Sequence, residues 1–429
     1  MKTSAVRMLA RPSFVLYAAC AVLALLSTPP GAWAEGRVAF YELHILKCED
    51  FGECEWKVSC GVEGQPQAEV TADGKAGRSV KLEQTLDLKT FPATLRCTLS
   101  EDDGIFGESW SQAAEGTVTI PAGGDYKMIL ASPDQGSVRV EFSVDSLEIA
   151  VAPPPPAPAV AATPPGKAPA KGAKKPAAPP APLQYVGVFN PRPEGAAVVV
   201  GLDQAAFKAR VSELDGHGLK LVALDTFMDG DKRLWSGIFR KAEDEIILVT
   251  GVDWDAFIPQ WKRMSAGSRR LVDFEIYNEG SKAMFAALYR GGSDTYSLWV
   301  GQERDKFLPL CKELASIKGL KVNDLEIYQQ NGKTLYAAAY RGDVAQPELW
   351  TALDRPSFES KWAQGKGKGM QLVDVETYTE GGKRLYDATV RTEEPGELVL
   401  APDQAAFVKS WREMLGKGLR LVDLETFRE

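Results

Sequence analysis

The chain has 429 residues, a formal net charge of −8, two histidines and six cysteines. An acidic surface of this kind repels nucleic acid and anionic lipid, so the sequence predicts neither as a partner. Two histidines so far apart as His44 and His217 rule out an HExxH metal site and leave no sequence signal for histidine-based catalysis.

The N-terminus sets the compartment. Lys2, Arg7 and Arg11 precede an apolar run from Phe14 to Leu26, followed by Pro29, Pro30 and the small-x-small site Ala32, Trp33, Ala34. This pattern predicts a secretory signal peptide over 1–34, cut after Ala34. The run is shorter than the roughly 20 apolar residues that span a bilayer, so no membrane anchor is expected in the mature chain. Losing the three basic residues takes the net charge from −8 to −11. The expected location is secreted or periplasmic.

Residues 35–151 alternate apolar and polar side chains in short runs such as "VAFYELHIL", "EWKVSCGV" and "SVRVEFSV". That alternation predicts an all-β sandwich. Cys48, Cys54, Cys60 and Cys97 cluster here, and four cysteines in an exported domain predict two disulfides with three possible pairings. The short spacing pairs Cys48 with Cys54, leaving Cys60 to bridge to Cys97 across the sandwich.

Two stretches, "HILKCEDFGECEWKVSCGV" and "CTLSEDDGIFGESW", resemble the acidic loops of the C2-domain fold. The resemblance implies a calcium site at one end of the sandwich, because a hard dication takes several carboxylate oxygens. Its ligands would be Asp50, Glu55, Asp102 and Asp103. Glu55 stands where the family usually has Asp, and the family's full ligand set is missing. The alternative is that these are solvated acidic turns. No other cofactor is expected.

Residues 152–182 are almost all Pro, Ala, Gly and Lys. Such a tract cannot bury a core and favours extended conformations, so it reads as a spacer separating two folded parts.

Residues 183–429 repeat. Phe207, Phe257, Phe307, Phe358 and Phe407 lie 50, 50, 51 and 49 residues apart, and Asp203, Asp253, Glu303, Asp354 and Asp403 precede them by four. The acids suit a helix N-cap. After a Gly-rich break comes a strand such as "LVDVETY", then a turn, a second strand such as "RLYDATVR" and a short third strand such as "ELWTA". Each unit is therefore αβββ, in a period that marks repeat architectures. The last unit stops after "LVDLETF", without its second strand. "LQYVGVFN" at 183–190 supplies it: Tyr185, Gly187 and Phe189 align with Trp235, Gly237 and Phe239. The expected fold is five αβββ units closed as a propeller-like ring, with 183–190 pairing to the terminal strand so that neither edge is left bare.

The LVDxExY strand and the GKxxYAAxYR hairpin resemble the bacterial tandem repeat family. That family is found in secreted bacterial proteins, and beside a β-lactamase-like serine hydrolase domain in fungal polyglycine hydrolases. The catalytic machinery there belongs to the neighbouring domain, and this chain has neither a matching SxxK serine nor a GxSxG elbow.

Three residue groups invite a functional reading. Asp273 with Glu275, Asp324 with Glu326, Asp374 with Glu376 and Asp423 with Glu425 each share a strand face. The expectation is structural: cross-strand pairing with Arg240, Arg290, Arg341 and Arg391. The tryptophans at 261, 299, 350, 362 and 411 occupy positions that hold Val or Cys in other units, which predicts packing, and Cys311 reads as a small buried residue. Trp254, in a first helical turn, is the one left as a possible ligand contact. The expected function is a secreted, non-enzymatic binding or scaffold protein for a protein or cell-envelope component. The alternative is a hydrolase or accessory subunit related to the polyglycine hydrolases.

Overall fold

The computed structural model describes residues 33–48, 54–62, 68–74, 79–81, 85–102, 110–132, 136–150, 181–345 and 347–428. Within them the chain is mostly β-strand, arranged in several sheets with five helices. The predicted signal segment and spacer lie almost wholly outside these residues. The first strand begins at Trp33, so the expected cut after Ala34 would trim its first two residues.

The N-terminal part contains β1 (Trp33–Cys48), β2 (Cys54–Val62), β3 (Ala68–Gly74), β4 (Ser79–Lys81), β5 (Thr85–Leu88), β6 (Ala93–Asp102), β7 (Trp110–Ile120), β8 (Gly124–Ser132) and β9 (Gly136–Ile149). One sheet runs β3-β2-β6-β7, and the facing sheet is built on the long β1–β9 pair with β4, β5 and β8. Alternate residues from both, among them Trp56, Val58, Leu95, Leu99, Val140 and Phe142, meet in one core. That is the sandwich the alternation predicts.

Cys60 and Cys97 form a disulfide, with Cα atoms 4.1 Å apart. Contrary to the sequence expectation, the bridge does not cross the sandwich. Cys60 and Cys97 are directly opposite on β2 and β6, neighbours in one sheet, so the bond ties two adjacent strands. The side chains of Cys48 and Cys54 fall outside the described residues.

The C-terminal part opens with β10 (Gln184–Pro191) and β11 (Ala196–Leu202). Then follow α1 (Gln204–Gly216), β12 (Leu219–Asp229), β13 (Lys232–Lys241) and β14 (Ile247–Asp253), and next α2 (Trp254–Ala266), β15 (Arg269–Glu279), β16 (Lys282–Gly291) and β17 (Tyr296–Gln302). The third unit is α3 (Arg304–Lys318), β18 (Lys321–Gln330), β19 (Lys333–Arg341) and β20 (Glu348–Leu353). The fourth is α4 (Arg355–Lys366), β21 (Met370–Glu380), β22 (Lys383–Thr392) and β23 (Glu397–Ala401). α5 (Gln404–Gly416) and β24 (Leu419–Phe427) end the described chain.

The repeat has a physical basis in each unit. Asp203, Asp253, Asp354 and Asp403 each accept the main-chain N–H three residues on, capping their helices, whereas Glu303 makes no such bond. The phenylalanine four residues later is fully buried in every helix and stacks on the aromatic ring of a middle strand. The pairs are Phe207–Trp235, Phe257–Phe285, Phe307–Tyr336 and Phe358–Tyr386. Phe407 stacks at 5.0 Å on Tyr185 from β10.

β10 thus stands where the fifth unit needs a middle strand. It pairs antiparallel with β24 over Gln184–Pro191 and with β23 on its other side, making the sheet β23-β10-β24. The strands that follow the helices also touch one another in sequence, β12 with β15, β15 with β18, β18 with β21 and β21 with β24, and β24 touches β12.

The two folded parts meet edge to edge, β9 against β11. β8 leaves β9 at Gly124, and β11 takes over the same edge in parallel, pairing Ala197–Val200 with Ser146–Ile149. The close approach needs glycine: a Cβ on Gly195 would come within 2.4 Å of the Val144 carbonyl oxygen. Buried Asp145 is fixed there by Arg420 at 2.7 Å and by the Ala196 N–H.

Candidate functional site

The Asp-x-Glu acids do not pair with the hairpin arginines. Arg290 instead forks onto Asp244, and Arg341 onto Asp294, in the loops that lead into the outer strands. Arg240 reaches Glu194 at 3.6 Å. The acids turn the other way, onto the open edge of the preceding unit's helix-following strand. Asp324 accepts from Phe274 N at 2.8 Å, Glu326 from Ile276 N at 3.3 Å, Asp374 from Leu325 N at 3.1 Å and Asp423 from Val375 N at 2.9 Å. Asp273 accepts from Leu224 N at 3.3 Å. A strand edge with no strand beside it has N–H groups to satisfy, and carboxylate oxygens from the next unit satisfy them.

At the junction of β24 with β12 the first acid is replaced by Ala223, and the second is Asp225, shorter than glutamate. The hydroxyls of Thr426 and Ser236 face Asp225 without well-formed hydrogen bonds.

These acids crowd one another. Burial, and then mutual repulsion, pushes Asp273, Glu275, Asp324, Glu326, Asp374, Glu376 and Glu425 well above the usual carboxylate range. Asp225 is raised to about 8 and Asp423 to about 7 for the same reasons. Asp225, Glu326, Asp374 and Glu376 are buried outright. The other five keep some contact with solvent, which tempers their shifts.

One cluster departs from the repeat. Asp387 stands on β22 where the other units have Val186, Ser236, Ala286 and Ala337. It is 0% exposed, and both oxygens are engaged: Tyr336 and Tyr378 each donate a hydroxyl at 2.9 Å, and Ala352 N donates at 2.6 Å. Arg304, the first residue of α3, donates to both phenols at 2.8 Å and to Glu380 at 3.1 Å. Above them opens a polar cavity of about 480 Å³, lined by Glu303, Arg304, Gln329, Lys333, Tyr336 and Glu380 among others. Sequence reasoning missed this cluster; the signal was the aspartate in "RLYDATVR" against the small or apolar residues aligned with it.

Trp254 occupies the repeat position of Arg304. It is 45% exposed and leans on Phe285 with ring centroids 5.7 Å apart. Cys311 is a free, buried thiol whose sulfur lies 3.2 Å from the Tyr340 hydroxyl, and burial raises it to about 11. A thiol so placed is not a ready nucleophile.

Of the calcium candidates, Asp50 and Asp103 fall outside the described residues, and only the backbones of Glu55 and Asp102 are described, on β2 and β6. Among the described residues no group of three or more Asp, Glu, His or Cys side chains is arranged to hold a metal ion. No described helix is long and apolar enough to cross a membrane.

Residues 196–242, which span β11 to β13, match the family model described as polyglycine hydrolase-like, structural repeat. This stretch is therefore a repeat unit of that family. No curated protein matches the chain. Among solved structures, a C2 domain of plant extended synaptotagmin 1 is similar at 10% identity and a TM-score of 0.21, over 25% of this chain and 92% of that one. Human GIVD cytosolic phospholipase A2 is similar at 8% identity and a TM-score of 0.21, over 79% of this chain and 36% of that one. Likenesses at that score carry no argument about function.

Proposed function

We propose that this protein is a secreted or periplasmic, non-enzymatic binding scaffold, whose five αβββ units close as a propeller-like ring with the N-terminal sandwich fixed to its first unit. The observation that carries the reading is the use made of the Asp-x-Glu acids. They are the richest supply of candidate catalytic groups in the chain, and they hold the main-chain edge of a neighbouring unit. A group repeated in unit after unit and engaged with backbone belongs to the fold. Closure is supported by the β10–β24 pairing and by the contact of β24 with β12. The Cys60–Cys97 bond and the apolar N-terminal segment support an oxidising compartment. A protein or cell-envelope component is the partner that this architecture suits.

The hydrolase reading has one observation in its favour, the cavity above Arg304, Tyr336, Tyr378 and Asp387, which gathers unlike residues from adjacent units. Against it, Asp387 is enclosed and has no free oxygen. The test is a pull-down from the extracellular fraction with the full chain as bait, run beside turnover assays on that fraction's peptides and glycans. A retained partner without turnover is expected. Hydrolysis that Asp387→Asn abolishes without lowering the melting temperature would overturn the reading.

A further inference from the structure

β11 and β17 occupy the same place in their units, one hundred residues apart at Val198–Val200 and Leu298–Val300. In β11 the outward edge is taken: Ala150 N at the end of β9 donates to the Val200 carbonyl at 2.8 Å, and every residue of the strand is buried. In β17 no strand lies outside among the described residues, and the corresponding Val300 carbonyl receives the Gln302 side-chain amide, at 3.3 Å.

Two other outer strands carry devices that discourage strand addition. Pro347 and Glu348 open β20, and Pro395, Glu397 and Pro402 flank or begin β23; β14 is as uncharged from Ile247 to Val252, but the residue there in the place of Trp299 is the buried Val249. Tyr296 to Val300 contain neither charge nor proline, and Asp294 before them is engaged with Arg270 and Arg341.

Trp299 marks the same edge. Its counterpart Trp350 is 1% exposed because Gly365 on α4 leaves it room; a Cβ there would lie 2.8 Å from the Trp350 ring. The residue in the place of Gly365 on α3 is Leu314, a buried side chain where α4 has none, and Trp299 is 38% exposed. The sequence expectation that both tryptophans pack therefore holds for Trp350 alone.

We propose that the outer edge of β17 is a docking strand for an extended, uncharged segment of a partner protein, added in parallel as β9 is added to β11. The proposal rests on the binding reading above and names its surface. Main-chain hydrogen bonds would supply affinity, and the side chains of alternate residues the selectivity. In β9 the residue opposite Val199 is Glu148, which pairs with Arg210 of α1 at 3.1 Å. Opposite Trp299 the corresponding helix residue is Leu310, so an apolar residue is required there in place of glutamate.

The probe is a fluorescently labelled peptide copying residues 143–150 with Asp145→Asn and Glu148→Val, so that its side chains are uncharged, titrated against the full chain by anisotropy. Saturable binding is expected, weaker by about tenfold or more for the peptide that keeps Glu148. Trp299→Lys in the protein should weaken it about as much at an unchanged melting temperature, by placing a charge on the edge. Absence of saturable binding, or equal affinity for Trp299→Lys, overturns the proposal. Self-association of the free chain that Trp299→Lys abolishes assigns the edge to a second copy and overturns it too. If Trp299→Lys retains the extracellular partner as well as the parent does, the binding reading stands and the β17 assignment falls.

Discussion

Asp324 Oδ2 accepts the main-chain N–H of Phe274 at 2.8 Å, across fifty residues and one unit boundary. The bond assigns the aspartate a structural task that a neutral side-chain oxygen can also perform. Asp324→Asn should therefore melt at least as high as the parent at pH 8, since it keeps an acceptor oxygen and cannot carry the charge that burial and the neighbouring acids oppose. Asp324→Ala leaves a buried N–H unsatisfied and should cost about 1–3 kcal/mol in denaturant unfolding. Equal losses for both variants would contradict this role.

The crowded acids give stability a direction with pH. A carboxyl whose folded pKa is raised holds its proton more tightly when folded, so its contribution is full below the unfolded value of about 4 and is lost as pH rises through the folded value. With Asp423 raised to about 7 and Asp225 to about 8, the melting temperature should fall from pH 5 to pH 9. Below about pH 4 the sign reverses, because Asp244, held low by its hydrogen bonds to Arg290, is protonated at the cost of that pair. Calorimetry across pH 3–9 reads both limbs.

Ala352 sits at φ 56° in β20, where three other units place Gly201, Gly251 and Gly301 with φ between 71° and 81°. An L-residue with a Cβ is disfavoured in that region by about 1 kcal/mol. Ala352→Gly should raise stability by a few tenths to about 1 kcal/mol, the gain being trimmed by glycine's larger unfolded-state entropy. Its N–H bond to Asp387 is unaffected, so the melting curve alone reports the backbone term.

Gly195 tests the joint between sandwich and repeats. Gly195→Ala would place a Cβ 2.4 Å from the Val144 carbonyl oxygen, must push the two backbones apart, and should cost about 1–3 kcal/mol. The loss should show as a separation of the sandwich and repeat transitions in calorimetry. One unchanged transition would contradict the shared sheet.

What was legible in the sequence follows from which features are local. The helix caps, the buried phenylalanines and the strand alternation depend on residues a few positions apart, and a fifty-residue period repeats them until they are unmistakable. The pairing of 183–190 with the last strand was also legible, since Tyr185, Gly187 and Phe189 repeat a pattern whose other copies have known neighbours. The direction of the Asp-x-Glu side chains was not. Asp374 and Thr389 are partners across a hairpin, which sequence can see, but Val375 N meets Asp423 only because two units face each other. Trp299 failed for a similar reason, since the glycine that makes room for Trp350 lies on a helix, and the residue in its place on α3 is Leu314. The docking of β9 on β11 joins segments on either side of a tract with no pattern of its own.

Closure of the five units through β10 is tested most directly by the thermal stability and mass of a chain lacking residues 183–191. Their removal takes Tyr185 from Phe407 and the main-chain partners from β24, exposing Leu421 and Leu424. A loss of several kcal/mol, the scale of a buried strand's apolar contacts, is expected, with self-association through the bare edge. A deleted chain that melts with the parent and stays monomeric would contradict closure.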